Sequence, residues 1–273
     1  MNRNVRPAAV AGAFYPSRPV ELESGIRKML KAAPRVSMDT PKAIIAPHAG
    51  YIYSGAIAAS IYAPLQRLRD LIQRVILLGP THRVPVNGIA VPTSSAFATP
   101  LGEIPLDLDA ITGITQLPQV VFSDAAHAQE HSLEVHLPFL IETLDHFVLV
   151  PLAVGQVAPE AVADVLEHLW GGDETLIVVS SDLSHYLPYD MAREADGETT
   201  KHIAALIPSI AHHQACGATP INGLILAAQR HGLEAKLIDL RNSGDTAGDK
   251  SRVVGYAAFA FCEATKAGSS HGH

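Results

Sequence analysis

The sequence predicts an α/β fold, a single-domain three-layer α/β/α sandwich around a mixed, largely parallel central sheet. Two observations carry that expectation. The apolar runs are short, rich in β-branched residues and bounded by Gly or Pro, as expected of strands buried on both faces. They alternate with longer segments whose apolar residues recur at helical spacing. Of 273 residues, 48% are hydrophobic and 17% charged, which supplies enough apolar material for a covered sheet. At this length an α/β fold commonly forms one unit.

Along the chain, helical spacing over 19–32 leads to a strand at 42–46 (KAIIA), and a helix over 53–67 leads to a strand at 74–79 (RVILLG). A further strand is expected at 87–91. Residues 92–107, PTSSAFATPLGEIPLD, hold three of the 19 prolines and read as an excursion across the surface. A helix over 131–144 precedes a strand at 146–153, and a helix over 158–170 precedes one at 174–180. Helices over 190–211 and 220–232 come next. Strands at 234–240 and 252–262, joined through the Gly- and Asp-bearing stretch 242–256, end the domain. It is expected to span 1–263, with 264–273 as a flexible polar tail carrying His271 and His273. No internal repeat is present.

Composition narrows the function. The formal net charge is −7, with no Lys or Arg run able to track a phosphate backbone, so nucleic acid is not an expected partner. No apolar stretch reaches the roughly 20 residues that span a bilayer, and the start lacks a signal peptide's apolar core. A cytoplasmic protein is the expectation. The two cysteines, Cys216 and Cys262, are then not expected to form a disulfide. Histidine is abundant, with 14 residues.

Three expected strands end alike, stopping at a small residue and delivering a histidine into a loop. They read IIAPHAGY with His48, ILLGPTHR with His82, and IVVSSDLSHY with Asp182 and His185. Loops at the carboxyl ends of parallel strands share one edge of the sheet, where ligands bind. Imidazole is the commonest protein ligand for late first-row metals, so His48 and His82 are candidate ligands. Cys216, in a Gly-bearing turn ahead of a helix from about Pro220, is a candidate ligand or nucleophile, because a helix N-terminus favours thiolate. The alternative for Cys216 is a small buried hydrophobe; Cys262 is expected in the core.

A second cluster, AHAQEHSLEVHLPFL, holds His127, His131, Glu134 and His136. His131 and Glu134 are three apart and share a helical face. The order is not HExxH, which disfavours a zinc protease. His131 reads as a contact to substrate or to a ligand residue, and His136 as structural. His127, His212, His213 and His231 read as surface or capping residues. Asp245 and Asp249, in NSGDTAGDKSRVVGY, either line the site edge or belong to an ordinary hairpin connection.

The strings AGAFYP, IIAPHAGYIYSG, ILLGPTH, TPLG, EHSLEVHLPFL, VPLAVG, SSDLSHY, CGATPI and SGDTAGDKSRVVGYAAFAF resemble the Memo family, whose bacterial and archaeal members are called AmmeMemoRadiSam system protein B. The likeness runs in order from about residue 7 to 262. It implies a fold similar to the LigB-type class III extradiol dioxygenases. It also implies a mononuclear metal on His48, His82 and Cys216, the cysteine standing where ring-cleaving relatives have glutamate. His185 matches the general acid/base position, with Asp182 beside it, and Tyr51, His131 and Asp245 are expected substrate contacts. Iron(II) is the expected metal, with copper and zinc as competitors because sulfur softens the site. The implied function is an oxygen-dependent or redox metalloenzyme, an oxidoreductase acting on a small organic substrate. The competing reading is a non-catalytic peptide- or metal-binding protein on the same scaffold. The family name further implies an AMMECR-type protein and a radical SAM enzyme as partners.

Overall fold

The structure, a computed structural model, describes residues 4–264. Its strands in chain order are β1 (Val5–Arg6), β2 (Pro41–Ala46), β3 (Arg74–Pro80), β4 (Ile89–Val91), β5 (Ala96–Thr99), β6 (Gly102–Pro105), β7 (Val120–Phe122), β8 (Val148–Val154), β9 (Thr175–Ser180), β10 (His185–Leu187), β11 (Leu233–Asn242) and β12 (Val253–Glu263). The helices are α1 (Pro19–Ala32), α2 (Tyr51–Tyr62), α3 (Leu108–Ile114), α4 (Asp124–Ala128), α5 (His131–Glu134), α6 (Leu137–Thr143), α7 (Pro159–Leu169), α8 (Tyr189–Ala204) and α9 (Ala218–Arg230). The tail histidines His271 and His273 lie outside the described residues.

The centre of the main sheet is parallel, with β2, β9, β3 and β8 side by side in that order. Ile76 of β3 stands between Val150 of β8 and Ile177 of β9. These strands are buried along almost their whole length, which is why their sequences are continuously apolar rather than alternating. The margins make the sheet mixed. β12 pairs antiparallel with β2 and carries β11 and β10, while β4 pairs antiparallel with β8 and parallel with β7.

Helices cover this sheet in two layers. α1, α2 and α6 pack on one another, with α2 against β11 and β12; α7 and α9 pack together, with α9 over β3 and β9 and α3 beside α7. The buried stripe of α7, Val162, Val165, Leu166 and Leu169, has the spacing of one helical face. Gly223 permits the α7–α9 approach, since a Cβ there would lie 2.6 Å from Val162 Cβ.

Several local expectations change. The excursion expected over 92–107 carries strands of its own: β5 and β6 form a hairpin, and β1 joins β5 in a separate three-stranded sheet. The helix expected over 53–67 starts at Tyr51 and passes into a 3-10 turn at Ala63–Leu68, where Pro64 falls. The helix expected over 131–144 is split into α5 and α6, with Pro138 in the first turn of the second. The helix expected over 190–211 ends at Ala204; Leu206 follows at φ 54°, and Pro208 cannot continue the ladder. No described helix is long and apolar enough to cross a membrane.

Candidate metal centre

The carboxyl ends of β2, β3 and β9 lie on one edge because the strands are parallel neighbours. His48 follows β2, His82 follows β3, and Asp182 follows β9, as the strand-end pattern predicts. The rings of His48 and His82 lie 5.2 Å apart between centroids. His131, the first residue of α5, completes the group, with its ring 4.6 Å from that of His82 and 5.4 Å from that of His48. One ring nitrogen from each of the three lies within 4.8 Å of the others, a grouping able to hold a metal ion. His48 is buried, His131 partly so, and His82 exposed, so the cluster opens to solvent on the His82 side.

Close packing of α5 on β3 places His131 there. A Cβ at Gly79 would lie 2.8 Å from Ser132 Oγ and 2.9 Å from Leu133 Cδ2, so only glycine admits the helix at this distance. Ser132 Oγ then donates to the carbonyl of Pro80 at 2.8 Å.

Hydrogen bonds fix the tautomers of two rings. His82 Nδ1 lies 2.9 Å from Glu130 Oε1, and the same carboxylate accepts from the backbone N–H of His82, His131 and Ser132. Burial by itself would raise the pKa of Glu130, but these bonds, led by that from the His82 ring, hold it at about 2. An ionised carboxylate only accepts, so His82 carries its proton on Nδ1 and offers a lone pair at Nε2. His48 Nδ1 lies 2.6 Å from Ser180 Oγ, whose single proton is donated to the Ser132 carbonyl at 2.6 Å. Ser180 must therefore accept from His48 Nδ1–H, which leaves the Nε2 lone pair free. In His131, Nδ1 is buried without a hydrogen bond, 3.3 Å from Glu130 Oε1. Burial, followed by mutual repulsion within the cluster, drives His48 well below the usual histidine range and His131 down to about 4. Such neutral, convergent lone pairs suit a cation.

Cys216, in the turn before α9, adjoins His48 but is not one of the three residues whose donor atoms group together. Its Sγ lies 3.4 Å from His48 Nε2 and accepts from Asp182 N–H at 3.3 Å. In the absence of a cation, the position before the helix N-terminus does not by itself make this thiol acidic. Burial first, and then the charge of Asp182, push the thiol up to about 12. Without a cation the group is held as an S–H beside His48 Nε2.

The remaining predicted residues take distinct places. Asp182 is buried and accepts from the backbone N–H of His48 at 2.8 Å, holding the loop that carries His48. Burial raises its pKa to about 7 against the opposing hydrogen bonds from His48 and Ala49. His185 is oriented by a backbone carbonyl, with Nδ1 2.8 Å from Leu183 O. Partial shielding of its ring lowers its pKa, and a charge on His82 would lower it further. Tyr51 is nearly buried and donates to the Val135 carbonyl at 2.8 Å. Asp245 accepts from Tyr189 Oη and from the Asn242 N–H, closing the 3-10 turn of the β11–β12 connection.

Two carboxylates that the sequence left without a role organise the site. Glu130 is the first; its signal is an acidic residue directly before a helix that begins with histidine. Glu134 is the second. It pairs with buried Arg6 and accepts from Ala9 N–H at 2.8 Å, Val10 N–H at 2.9 Å and Tyr15 Oη at 2.6 Å. The AGAFYP segment is thereby tied to α5, and Phe14 lies with its ring 4.6 Å from that of His131. His127, expected at the surface, is buried with Nε2 2.9 Å from the Ala90 carbonyl. His136 is structural as expected, 3.0 Å from Tyr62 Oη, and Cys262 is partly buried against the core.

A family model described as Memo-like protein matches residues 6–260. A MEMO1 family protein of Methanopyrus kandleri is 35% identical, covering 94% of this chain and 98% of its own length. One from Aquifex aeolicus is 35% identical, with 94% and 99% covered, and one from Ignicoccus hospitalis 36% identical, with 94% and 98% covered. Among solved structures, an uncharacterized protein of Escherichia coli matches 81% of this chain and 99% of its own with a TM-score of 0.50 at 11% identity. That likeness concerns fold alone.

Proposed function

The chain belongs to the Memo family, and we propose that it is a metalloenzyme in which His48, His82 and Cys216 hold one redox-active ion, iron(II) in preference to copper or zinc. The proposed substrate is a small organic molecule. The observation that supports this reading best is the pair of committed Nδ1 atoms: Glu130 and Ser180 engage them and leave the Nε2 lone pairs of His82 and His48 free, in two rings that belong to the close histidine group. The donor set fits a cation by its chemistry. Cys216 adds a negative charge once its proton is displaced, and His131 is the third member of that group. A bound ion of this kind would polarise a substrate oxygen and exchange electrons with it.

The protein's own groups supply positioning and proton transfer. His185, neutral at physiological pH, keeps Nδ1–H on the Leu183 carbonyl, so Nε2 is the atom that accepts a proton from a substrate hydroxyl and returns it. Asp182 fixes the backbone of His48, and Glu130 fixes the ring of His82. The sulfur in place of a carboxylate makes the site softer than that of a ring-cleaving dioxygenase, which is why copper competes.

The test is oxygen uptake over a panel of catechols after anaerobic loading with iron(II), copper or zinc. Turnover is expected with iron(II), and His185→Gln should lower kcat by about 10²–10⁴-fold with unchanged metal content. Full metal occupancy with no turnover for any substrate would overturn the enzymatic reading in favour of a binding role.

A further inference from the structure

A cleft of about 560 Å³ runs from the candidate metal centre between the loops after β3 and β8 and the start of α9. We infer that this cleft is the substrate site, that it takes a small uncharged molecule bearing hydroxyl groups, and that Gln156, His212 and Thr219 select it. The inference rests on the metal reading for its chemistry and on the cleft alone for its location.

His82 and Cys216 join the cleft to the cluster, and Gln156, His212 and Thr219 lie along its wall. The cleft therefore meets the cluster on the side where His82 is exposed. Its volume lies within the usual range for small-molecule sites, about 300–1,000 Å³. No Asp, Glu, Lys or Arg lines it, and the rest of the wall is mainly proline and valine. A charged ligand would lose hydration there without gaining a partner, whereas an apolar ring with hydroxyl groups would match the lining.

These wall residues carry groups that can hold hydroxyls. Thr219 Oγ1 lies 3.3 Å from His212 Nε2, joining two groups that can each donate or accept. The backbone of Gln156 is fixed, donating to the Val86 carbonyl at 2.7 Å and accepting from Gly88 N–H at 2.9 Å. Gly155 makes that contact possible, since a Cβ there would lie 2.1 Å from Val86 O. The carboxamide of Gln156 makes no hydrogen bond among the described residues, so it is a free polar group on a fixed backbone. His212, expected as a surface or capping residue, stands beside Thr219 in the wall of this cleft, which makes it a specificity residue.

The experiment follows backbone amide resonances of the full chain, metal-free and zinc-loaded, during anaerobic titration with catechol and with 3,4-dihydroxybenzoate. Catechol should shift Gly155, Gln156 and Thr219 in both samples, and the carboxylate analogue should require at least about tenfold more ligand. His212→Ala and Gln156→Ala, both at exposed loop positions, should each weaken catechol binding about tenfold with unchanged metal content. The inference is overturned by an absence of shifts, by variants that titrate like wild type, or by shifts centred on exposed Tyr53 and Tyr186. At that alternative surface, the Arg252 guanidinium lies 5.0 Å from the Tyr186 ring centroid and would favour an anion. Failure to take up zinc counts against the metal reading separately, and the metal-free titration still reports on the cleft.

Discussion

At the scale of single residues, two buried glutamates do different work one helical turn apart. Glu130 caps α5 and holds the His82 tautomer through one carboxylate. Glu130→Gln should lower metal affinity about 10–100-fold, the usual cost of removing a carboxylate behind a ligating histidine, as read by competition with a chelator. Glu134 balances Arg6 in the interior. Glu134→Ala leaves that guanidinium buried and unpaired, so urea denaturation should show a loss of about 3–5 kcal/mol. The histidines at strand ends were legible because a strand's direction and its terminal residue are local properties. The glutamates were not, because their roles depend on which distant backbone N–H groups face them. Asp245 was ambiguous for the same reason; in the structure it accepts from Tyr189 within the β11–β12 connection.

At the scale of elements, the site depends on how closely α5 can sit on β3. Gly79→Ala would force Ser132 and Leu133 outward, costing about 1–3 kcal/mol as overpacking does, and should displace His131 and weaken metal binding. Gly25→Ala in α1, where an added Cβ meets nothing within 4 Å, should instead stabilise the chain by about 0.5–1 kcal/mol. Thermal melts and metal uptake of the two variants separate these outcomes. β2, β3 and β9 could be read from sequence because strands buried on both faces leave unbroken apolar runs. α4 and α5, with 5 and 4 residues, are too short to show a helical period, and β5 and β6 are split by a turn within a Pro-containing stretch. His131 was legible as a neighbour of the site, but its grouping with the donor atoms of His48 and His82 was not.

At the scale of the whole molecule, buried neutral histidines make the fold sensitive to acid. Burial lowers His127 to about 4 and His136 to about 3, whereas both titrate near 6.5 when unfolded. Between those values the unfolded chain binds more protons, so stability is intact above pH 6.5 and falls as the pH drops toward 4. The loss should be on the order of 3 kcal/mol for each histidine. Urea midpoints should decline across that window, and His127→Gln should flatten the decline. The fold class followed from alternation and burial, and a related fold occurs at 11% identity in an Escherichia coli protein; fold by itself does not fix chemistry. The proposed function turns on a few loops at one sheet edge.

Equilibrium dialysis against iron(II) under anaerobic conditions, with metal per chain determined for the wild type and for His48→Ala and His82→Ala, addresses that edge directly. One ion retained per wild-type chain and none in either variant is the predicted result. An empty wild type, or variants that retain as much iron as the wild type, would contradict it.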